Sequence, residues 1–397
     1  MGSSRLLQKR RRAPRIEGLA MVGTTSVIDA VERIVREVVE PAASDVDASG
    51  RFPRAAVGAL GEAGLLGLVS AVDVGGMGGS PRDAVDVVER LARACGSTAM
   101  VITMHYVATA VIEAHGPREV REAIAGGRHL TTLAFSEQGS RGHFWAPVSS
   151  AVDGDGQVRL RAAKSWVTSA GEADSYVWSS RPLRAEGAST IWLVPADTPG
   201  IEVAGRFDGL GLRGNASTPI RAHDAVLPMA AGLGQDGGGF DIMMGIVLPL
   251  FQLLSAAVSL GTMEAVTAKT AAHAAAARFE HLDQSLAQLP TVRAYIARMR
   301  VTTDQVRGLL LDTLAAVEGG REDTMLRILE VKAAAGEAAT TVTDLGMRVC
   351  GGVAFRKEVG VERHFRDARA ATVMAPTTDV LYDFIGRAVC GLPLFEA

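Results

Sequence analysis

The chain has 397 residues, of which 5 % are aromatic, and a formal net charge of −3 at pH 7. This length suffices for two to three domains around a large core, and the nearly balanced charge gives no indication of a nucleic-acid partner. The three cysteines are far apart and fit neither a disulfide framework nor a metal site, which indicates a reducing, cytoplasmic environment. Charged residues and helix breakers interrupt every apolar stretch of about 18 residues, so no membrane span is predicted.

The N-terminus carries a short basic run, "QKRRRAPR" at positions 8–15. Such a run can serve targeting or nucleic-acid binding, but no apolar segment follows it directly. We therefore predict a solvated, disordered extension over residues 1–24, with Met21 as an alternative start.

Helical periodicity dominates residues 25–130, which we predict to form an N-terminal helical domain. Apolar residues from Val27 to Val39 recur at helical spacing, and Pro41 is predicted to end this first helix. The glycine-rich segment "DVGGMGGSP" lacks the strand–loop–helix context of a phosphate-binding loop and is interpreted as a connector. Further helices in this region are predicted over residues 53–66, 82–114 and 117–126.

The pattern changes near residue 131. Segments such as "TTLAF", "QVRLRAAKSWVTS" and "TIWLVPA" are short, rich in β-branched and aromatic residues, and separated by Gly, Asp and Pro. They predict an antiparallel sandwich or barrel in a middle β-domain over residues 131–235. A C-terminal helical domain is predicted over residues 236–397, with helices over 240–278, 290–318, 323–350 and 377–389. The predicted fold class is therefore α+β: helices, then strands, then a helical bundle.

Six sequence segments, taken in their order along the chain, carry a resemblance to a known family. They are "FPRAAVGALGEAGLLGL", "LAFSEQGSRG", "KSWVTSAGEAD", "GLGLRGNAST", "GQDGGGFDIMM" and "CGGVAF…VERHFRDARA". Together they resemble the acyl-CoA dehydrogenase superfamily over nearly the whole chain. The resemblance implies FAD held between the β-domain and the C-terminal helices, and a homotetramer. It also implies an acyl thioester substrate, on coenzyme A or a carrier protein, and an electron-transfer partner or a flavin reductase.

The resemblance implies flavin-ring contacts in two short segments. Trp166, Val167 and Thr168 match a strand end where a tryptophan covers one face of the ring and a threonine hydroxyl donates to it. The alternative for Trp166 is an ordinary place in the core. Phe135 and Ser136 match positions that offer backbone and hydroxyl hydrogen bonds to the ring.

The resemblance also implies contacts with the phosphates of FAD. Arg278 corresponds to an arginine that reaches the FAD pyrophosphate of a neighbouring subunit, although the Phe-Gly that follows it in the family is absent here. Arg348, next to the matched Gly351 and Gly352, can add a phosphate contact or face its own helix dipole. The helix-start residues that can bind the phosphate side of the flavin or cap the helix are Thr377, Thr378 and Asp379.

One loop departs from the family pattern. The family's Gly-Ser-Asp becomes Gly142-His143-Phe144, and Trp145 follows. The loss of that serine puts the usual contact with coenzyme A in doubt. The bulky aromatic segment is either ordinary loop packing or the sign of an altered acyl donor or a narrowed pocket.

The usual catalytic base is also missing. In acyl-thioester dehydrogenation a base removes the Cα proton while a hydride leaves Cβ for the flavin. The resemblance places the usual glutamate two residues before Thr377, at Ala375, and a second family position at Phe251. Neither side chain accepts a proton, so the catalytic residue stays unassigned.

Other side chains of the chain can accept a proton, and each has an ordinary structural explanation. They are His105, Tyr106, Glu137, His143, Asp241 and Asp379. His105 lies on an otherwise apolar helix that the resemblance places beside the acyl pocket. A lone histidine in such a helix is more often packed or hydrogen-bonded than a base.

Three classes of function follow from these observations. The first is an FAD-dependent oxidoreductase that acts on an acyl thioester with a non-standard base. The second is a flavin monooxygenase of the same fold, in which reduced flavin takes up O₂, or an enzyme of non-oxidative thioester elimination; the monooxygenase does not need the glutamate. The third is a non-catalytic flavin-binding homologue, against which the retained flavin motifs argue. The N-terminal and "GEAD" matches favour the first class.

Overall fold

The computed structural model describes residues 24–395 except 141 and 155. The predicted N-terminal extension lies outside the described residues, apart from Thr24, where the first helix begins. The observed order of helices, strands and helices confirms the predicted α+β fold class. The three domain boundaries stay predictions.

Helices form the first part of the fold. The helices are α1 (Thr24–Ile34), α2 (Glu40–Ser49), α3 (Arg54–Glu62), α4 (Pro81–Ala94), α5 (Gly96–His115) and α6 (Arg118–Ala125). The start of α4 is fixed by a capping box: the Asp83 carboxylate accepts from the Ser80 N–H at 2.8 Å, and the Ser80 hydroxyl accepts from the Asp83 N–H at 3.3 Å.

The first predicted helix does not end at Pro41, so that prediction was wrong. A π-helical turn, Val35–Val39, joins α1 to α2, and Pro41 is the second residue of α2. The wider turn shifts the hydrogen-bond register, so the proline falls near the start of a new α segment, where its missing N–H is tolerated. The helix ends instead at Gly50, whose φ of 64° is a left-handed conformation that suits glycine.

Two helical segments, Gly96–His115 and Gly239–Ala276, are long and apolar enough to cross a membrane. In the most apolar window of each, 78 % and 72 % of the residues are buried inside the molecule. This burial is typical of core helices, and it explains why their apolar character covers more than one face.

The strands form two four-stranded sheets. The strands are β1 (Thr131–Ala134), β2 (Ser150–Gly154), β3 (Gln157–Val167), β4 (Ser175–Ser180), β5 (Thr190–Pro195), β6 (Ile201–Val203), β7 (Thr218–Pro228) and β8 (Gly232–Leu233). One sheet has the order β1-β4-β5-β8 and the other β2-β3-β7-β6. The second sheet is antiparallel, but β1 runs parallel to β4, which the prediction of antiparallel strands missed. Trp178, Trp192 and Tyr176 are buried in the sandwich core.

A β-bulge near the end of β3 decides where Trp166 points. Inward positions of the strand alternate from Val158 to Lys164, so strict alternation would also bury Trp166. The pairing with β7 shifts register between Lys164 and Val167, and Trp166 takes a φ of 56°. The bulge therefore buries Val167 and turns Trp166 outward, leaving it 70 % exposed.

The C-terminal part is again helical, with a short hairpin of β9 (Arg278–Phe279) and β10 (Gln284–Ser285). The helices are α7 (Gly239–Ile242), α8 (Leu248–Ala276), α9 (Pro290–Gly319), α10 (Thr324–Cys350), α11 (Val361–Ala368), α12 (Ala370–Val373) and α13 (Thr378–Val389). A π-helical turn, Met243–Val247, joins α7 to α8. Helix α8 crosses α4 closely at Gly261, where a Cβ atom would lie 2.3 Å from the Glu89 carbonyl oxygen. Only glycine permits that approach.

Polar contacts join the three parts of the chain at α11. The Arg366 guanidinium lies 2.6 Å from the Asp47 carboxylate at the end of α2 and 2.7 Å from Glu362 one turn earlier in α11. The buried Asp367 carboxylate accepts from the Leu212 N–H at 2.6 Å. These contacts include an i,i+4 ion pair within α11 and give this segment a structural role.

Candidate active site

A small cavity brings together five of the residues singled out from the sequence. Phe135 and Ser136 follow β1, Trp166 comes from the bulge of β3, Phe251 lies on α8, and Ala375 precedes α13; all five line this cavity of about 60 Å³. The β-strand side and the helical side of the molecule therefore meet here, as the family motifs imply.

The remaining lining residues are Met104, Leu133, Phe144, Ser165, Val247 and Leu248. We call Phe135, Ser136 and Trp166 the β wall, and Leu248, Phe251 and Ala375 the helical wall. Among the described residues, those that line the cavity carry no ionisable side chain. Their polar side chains are the two serine hydroxyls, which are not bases at neutral pH.

The β wall is held together by backbone pairing between the loop after β1 and the end of β3. The Ser165 N–H donates to the Ser136 carbonyl at 2.9 Å, and Glu137 forms an isolated bridge with Lys164. This pairing places Ser136 next to Trp166. The exposed indole beside a polar hydroxyl is a surface that fits a flat, partly polar ring such as a flavin.

Val167 and Thr168 contribute differently from Trp166. The Val167 side chain is buried in the sandwich core, so only its backbone groups are available to a ligand. The Thr168 hydroxyl is buried and lies 3.0 Å from the Ser217 hydroxyl. A hydroxyl can accept one hydrogen bond and donate another, so this contact leaves Thr168 able to make one more.

A buried ion pair lies directly behind the β wall. Lys164 Nζ lies 2.5 Å from Glu137 Oε1 and also donates to the Ser179 carbonyl at 2.7 Å. The other Glu137 oxygen accepts from the N–H groups of Val148 and Ser149 at 2.6 and 2.8 Å. Burial lowers the pKa of Lys164 to about 8. Burial opposes ionisation of Glu137, but Lys164 and the hydrogen bonds from Ser149 and Val148 together outweigh it, so the pKa of Glu137 is lowered. The sequence motifs assign Lys164 no role, although its inward position in β3 marks it as unusual.

Four residues predicted to contact the phosphates of FAD lie away from the cavity lining. Arg278 is exposed on the β9–β10 hairpin, and its guanidinium lies 2.5 Å from Asp283. Arg348 is exposed near the end of α10, with its guanidinium 5.3 Å from the centroid of the Tyr295 ring. Gly351 and Gly352 are exposed immediately after it. Their role toward a cofactor therefore stays a prediction.

The start of α13 lies close to the cavity. The Thr377 hydroxyl caps the helix by accepting from the Val380 N–H at 3.4 Å, whereas Asp379 is exposed. The Thr378 hydroxyl is buried and has no hydrogen-bond partner among the described residues. An unpaired buried hydroxyl at a helix N-terminus fits an absent acceptor such as a flavin or phosphate oxygen.

Lys332 on α10 holds the segment that carries Ala375. Its ammonium donates to the carbonyl oxygens of Ala371, Met374 and Pro376 at 3.2, 3.1 and 2.7 Å. Burial lowers the pKa of Lys332 to about 7. No sequence motif points to Lys332, but its place among the buried positions of an otherwise apolar helix face marks it as unusual.

Two of the candidate bases are fully occupied by structural hydrogen bonds. The Thr131 N–H donates to His105 Nδ1 at 3.2 Å, so the proton is on Nε2, which lies 3.0 Å from the Leu66 carbonyl. Burial lowers the pKa of His105 to about 4, which keeps it neutral. The Tyr106 hydroxyl donates to the Leu65 carbonyl at 2.7 Å, and burial raises its pKa.

The other candidate bases also lie outside the cavity lining. Glu137 is held by Lys164, and Asp241 and Asp379 are exposed on the first turns of their helices. His143 is exposed, with its ring centroid 5.0 Å from that of Trp145. The structure thus places none of the six alternative bases against the cavity.

The aromatic segment 143–145 lies over the helical wall. A Cβ atom added to Gly142 would lie 4.0 Å from Ala375 Cβ, so the loop runs directly beside the usual base position. Phe144 lines the cavity, and its ring centroid is 5.3 Å from that of Trp145. Phe144 therefore belongs to the site itself, and Trp145 packs against it.

Comparison with known proteins places this site in a family. The N-terminal, middle and C-terminal domain models of acyl-CoA dehydrogenase match residues 24–127, 132–225 and 237–390. The mitochondrial short-chain specific acyl-CoA dehydrogenase of Bos taurus is 29 % identical over 349 residues, which cover 86 % of this chain and 83 % of the relative.

Solved structures have the same fold. Butyryl-CoA dehydrogenase from Megasphaera elsdenii aligns with a TM-score of 0.87 at 20 % identity, over 94 % of this chain and 100 % of that one. A structure described as the FAD complex of PigA aligns with a TM-score of 0.85 at 17 % identity, over 94 % of this chain and 99 % of that one.

The chain belongs to the acyl-CoA dehydrogenase family. It is an acyl-CoA dehydrogenase-like flavoenzyme with FAD as cofactor, as its sequence motifs predicted. The exposed Trp166, the Ser136 hydroxyl and the unpaired Thr378 hydroxyl fit that cofactor.

Proposed function

We propose that this flavoenzyme acts on an acyl-CoA or a related acyl thioester without a protein base on the wall of its cavity. The supporting observation is the cavity lining, which joins the predicted flavin-contact residues to Ala375 and Phe251 and carries no ionisable side chain among the described residues. FAD, when bound, accepts the hydride that leaves Cβ.

The residues of the chain have distinct roles in this proposal. Trp166 and Ser136 orient the cofactor, and Phe251 and Leu248 exclude water from the acyl group. Lys332 holds the backbone of the Ala375 segment in place through three carbonyl groups. The Cα proton is then transferred to a basic group of the substrate itself, which favours thioesters that carry such a group and whose Cα proton is acidified by a neighbouring substituent.

Anaerobic titration of the yellow protein with acyl-CoAs tests this proposal. Straight-chain saturated acyl-CoAs should bleach the flavin slowly or not at all. The variant Ala375→Glu should bleach faster by about a hundred- to ten-thousand-fold, the usual contribution of a general base. Ala375→Gln is the matched control, because it adds the same volume without a base.

Other outcomes of the same titration identify the alternatives. If the wild type oxidises straight-chain acyl-CoAs, over the range of chain lengths from butyryl to palmitoyl, at ordinary dehydrogenase rates, a base exists elsewhere in the protein. Consumption of O₂ that depends on NADH and a flavin reductase would indicate a monooxygenase. A colourless protein that FAD does not reconstitute would contradict every flavin-dependent function.

We further propose a homotetramer in which Arg278 and Arg348 reach the FAD of a neighbouring subunit. We also propose that an electron-transfer partner or a flavin reductase exchanges electrons with the FAD. Both arginines are exposed and lie away from the cavity of their own chain. Sedimentation tests the assembly, since monomers with full flavin occupancy would contradict it. Cytoplasmic localisation stays a prediction.

A further inference from the structure

A cluster of five aromatic rings reaches one side of the cavity through Phe144. We define the aromatic cluster as Phe144, Trp145, Phe240, Phe384 and Phe395. It joins three separate parts of the chain: the loop before β2, the first turn of α7, and α13 with the C-terminal segment that follows it. Only Phe144 of these five lines the cavity, so the other four act on the site through it.

Trp145 lies at the centre of this cluster. Its ring centroid is 5.3 Å from that of Phe144, 5.7 Å from Phe384 and 5.4 Å from Phe395. The contacts with Phe144 and Phe395 are edge-to-face, the arrangement that aromatic rings favour. Trp145 therefore couples the position of Phe144 to the C-terminal segment.

Phe395 anchors the C-terminal segment to the same cluster. Its ring centroid is 5.1 Å from that of Phe240 and 5.2 Å from that of Phe384. Phe395 thus contacts three rings of the cluster, although the residues before it, Gly391 to Pro393, are exposed. This segment is held by Phe395 together with Leu394, which also packs against the core.

The cavity behind the cluster is small. Its volume is about 60 Å³. A long acyl chain needs more room, and Phe144, with Trp145 packed behind it, borders this cavity together with Ala375.

We propose that Trp145 determines specificity by limiting the cavity to short acyl groups, and that Phe395 is a positioning residue that keeps Trp145 in place. This inference rests on the proposed action on an acyl thioester. Longer thioesters bind only when the aromatic cluster opens. Removal of either ring lowers the cost of that opening.

Flavin absorbance during anaerobic titration with acetyl-, butyryl-, hexanoyl- and octanoyl-CoA reports binding without requiring turnover. In the full-length holoenzyme, Trp145→Ala should tighten octanoyl-CoA binding about tenfold or more relative to acetyl-CoA binding, and Phe395→Ala should give a smaller change of the same sign. Leu392→Ala is the matched control: this residue is 56 % exposed in the same segment and lies outside the cluster. It should keep the chain-length profile of the wild type.

The results separate this inference from the proposed function. If all variants respond to acetyl-CoA and their chain-length profile over the four thioesters equals that of the wild type, Trp145 does not set specificity. If a flavin-loaded wild type and its variants respond to no thioester, both proposals are wrong. A general loss of flavin in Trp145→Ala, with Phe395→Ala still showing the wild-type profile, would also contradict the positioning role.

Discussion

The two walls of the cavity differ in how closely they follow the family pattern. The β wall keeps an exposed tryptophan and a hydroxyl beside it, supported from behind by the buried pair of Lys164 and Glu137. On the helical wall, the two positions that the resemblance assigns to the base of the family are Ala375 and Phe251, and the aromatic side chain of Phe144 lines the cavity beside them. The contrast indicates that the shape of a fixed cofactor constrains one wall, whereas the other can change with the substrate.

The largest expected effect comes from breaking the support of the β wall. Lys164→Met leaves the Glu137 carboxylate buried without its partner, which typically costs about 3–5 kcal/mol of unfolding free energy. Urea unfolding of the flavin-loaded protein measures this loss. The double variant Lys164→Met/Glu137→Gln should recover part of it.

Arg161→Ala provides the matched control for that experiment. Arg161 lies on the same strand, and its partner Asp224 is exposed, so this pair should contribute little. Equal destabilisation by Lys164→Met and Arg161→Ala would contradict the role of the buried pair.

The second-largest expected effect is a difference between substitutions on the β wall and substitutions on the helical wall. Trp166→Ala should weaken FAD retention by about tenfold and change the flavin absorption envelope before any substrate is added. Phe251→Ala, on the helical wall, should leave the resting spectrum unchanged and alter only the response to thioesters. Identical resting spectra for wild type and Trp166→Ala would contradict the flavin contact.

A pH effect is expected from the segment beneath the helical wall. The pKa of Lys332 is about 7 in the folded chain and about 10.4 when unfolded. Between these values the unfolded chain binds the additional proton, so folding stability should rise with pH, by at most about 1.4 kcal/mol per pH unit. Unfolding free energies at pH 7 and pH 9.5 should show this rise in the wild type and a smaller one in Lys332→Met. Lys164 contributes equally to the pH dependence of the unfolding free energy in the wild type and in Lys332→Met. The same rise of the unfolding free energy with pH in both proteins would therefore mean that Lys332 does not titrate in this range.

The smallest effect is expected at the two exposed carboxylates that were considered as bases. Asp241→Asn and Asp379→Asn should leave the rate of flavin reduction nearly unchanged, because neither side chain lines the cavity. Loss of a true base would slow the reaction by about a hundredfold or more. A loss of that size in stopped-flow reduction would identify the altered carboxylate as the base.

Sequence motifs were sufficient for the order of helices and strands and for the meeting of Phe135, Ser136, Trp166, Phe251 and Ala375 in one cavity. They were not sufficient where a single extra residue changes register. Strict alternation in β3 would bury Trp166, and only the bulge, which depends on pairing with the distant β7, turns it outward.

Long-range contacts account for the other features that the sequence did not reveal. Lys332 is separated by 39 to 44 residues from the carbonyl groups that it binds, and no local pattern in α10 indicates that pairing. The aromatic cluster likewise joins residues from three distant segments. Hydrophobic periodicity identifies such residues as apolar, but their partners depend on how the helices pack.

The contacts at α11 have a consequence for how the molecule unfolds. Arg366 binds Asp47, Arg363 donates to the Ala94 carbonyl at 2.9 Å, and Asp367 accepts from Leu212. One short helix thus connects the N-terminal helices and the strand region to the C-terminal bundle. Because these contacts are lost together when any part separates, calorimetry should record a single cooperative transition in place of three melting steps.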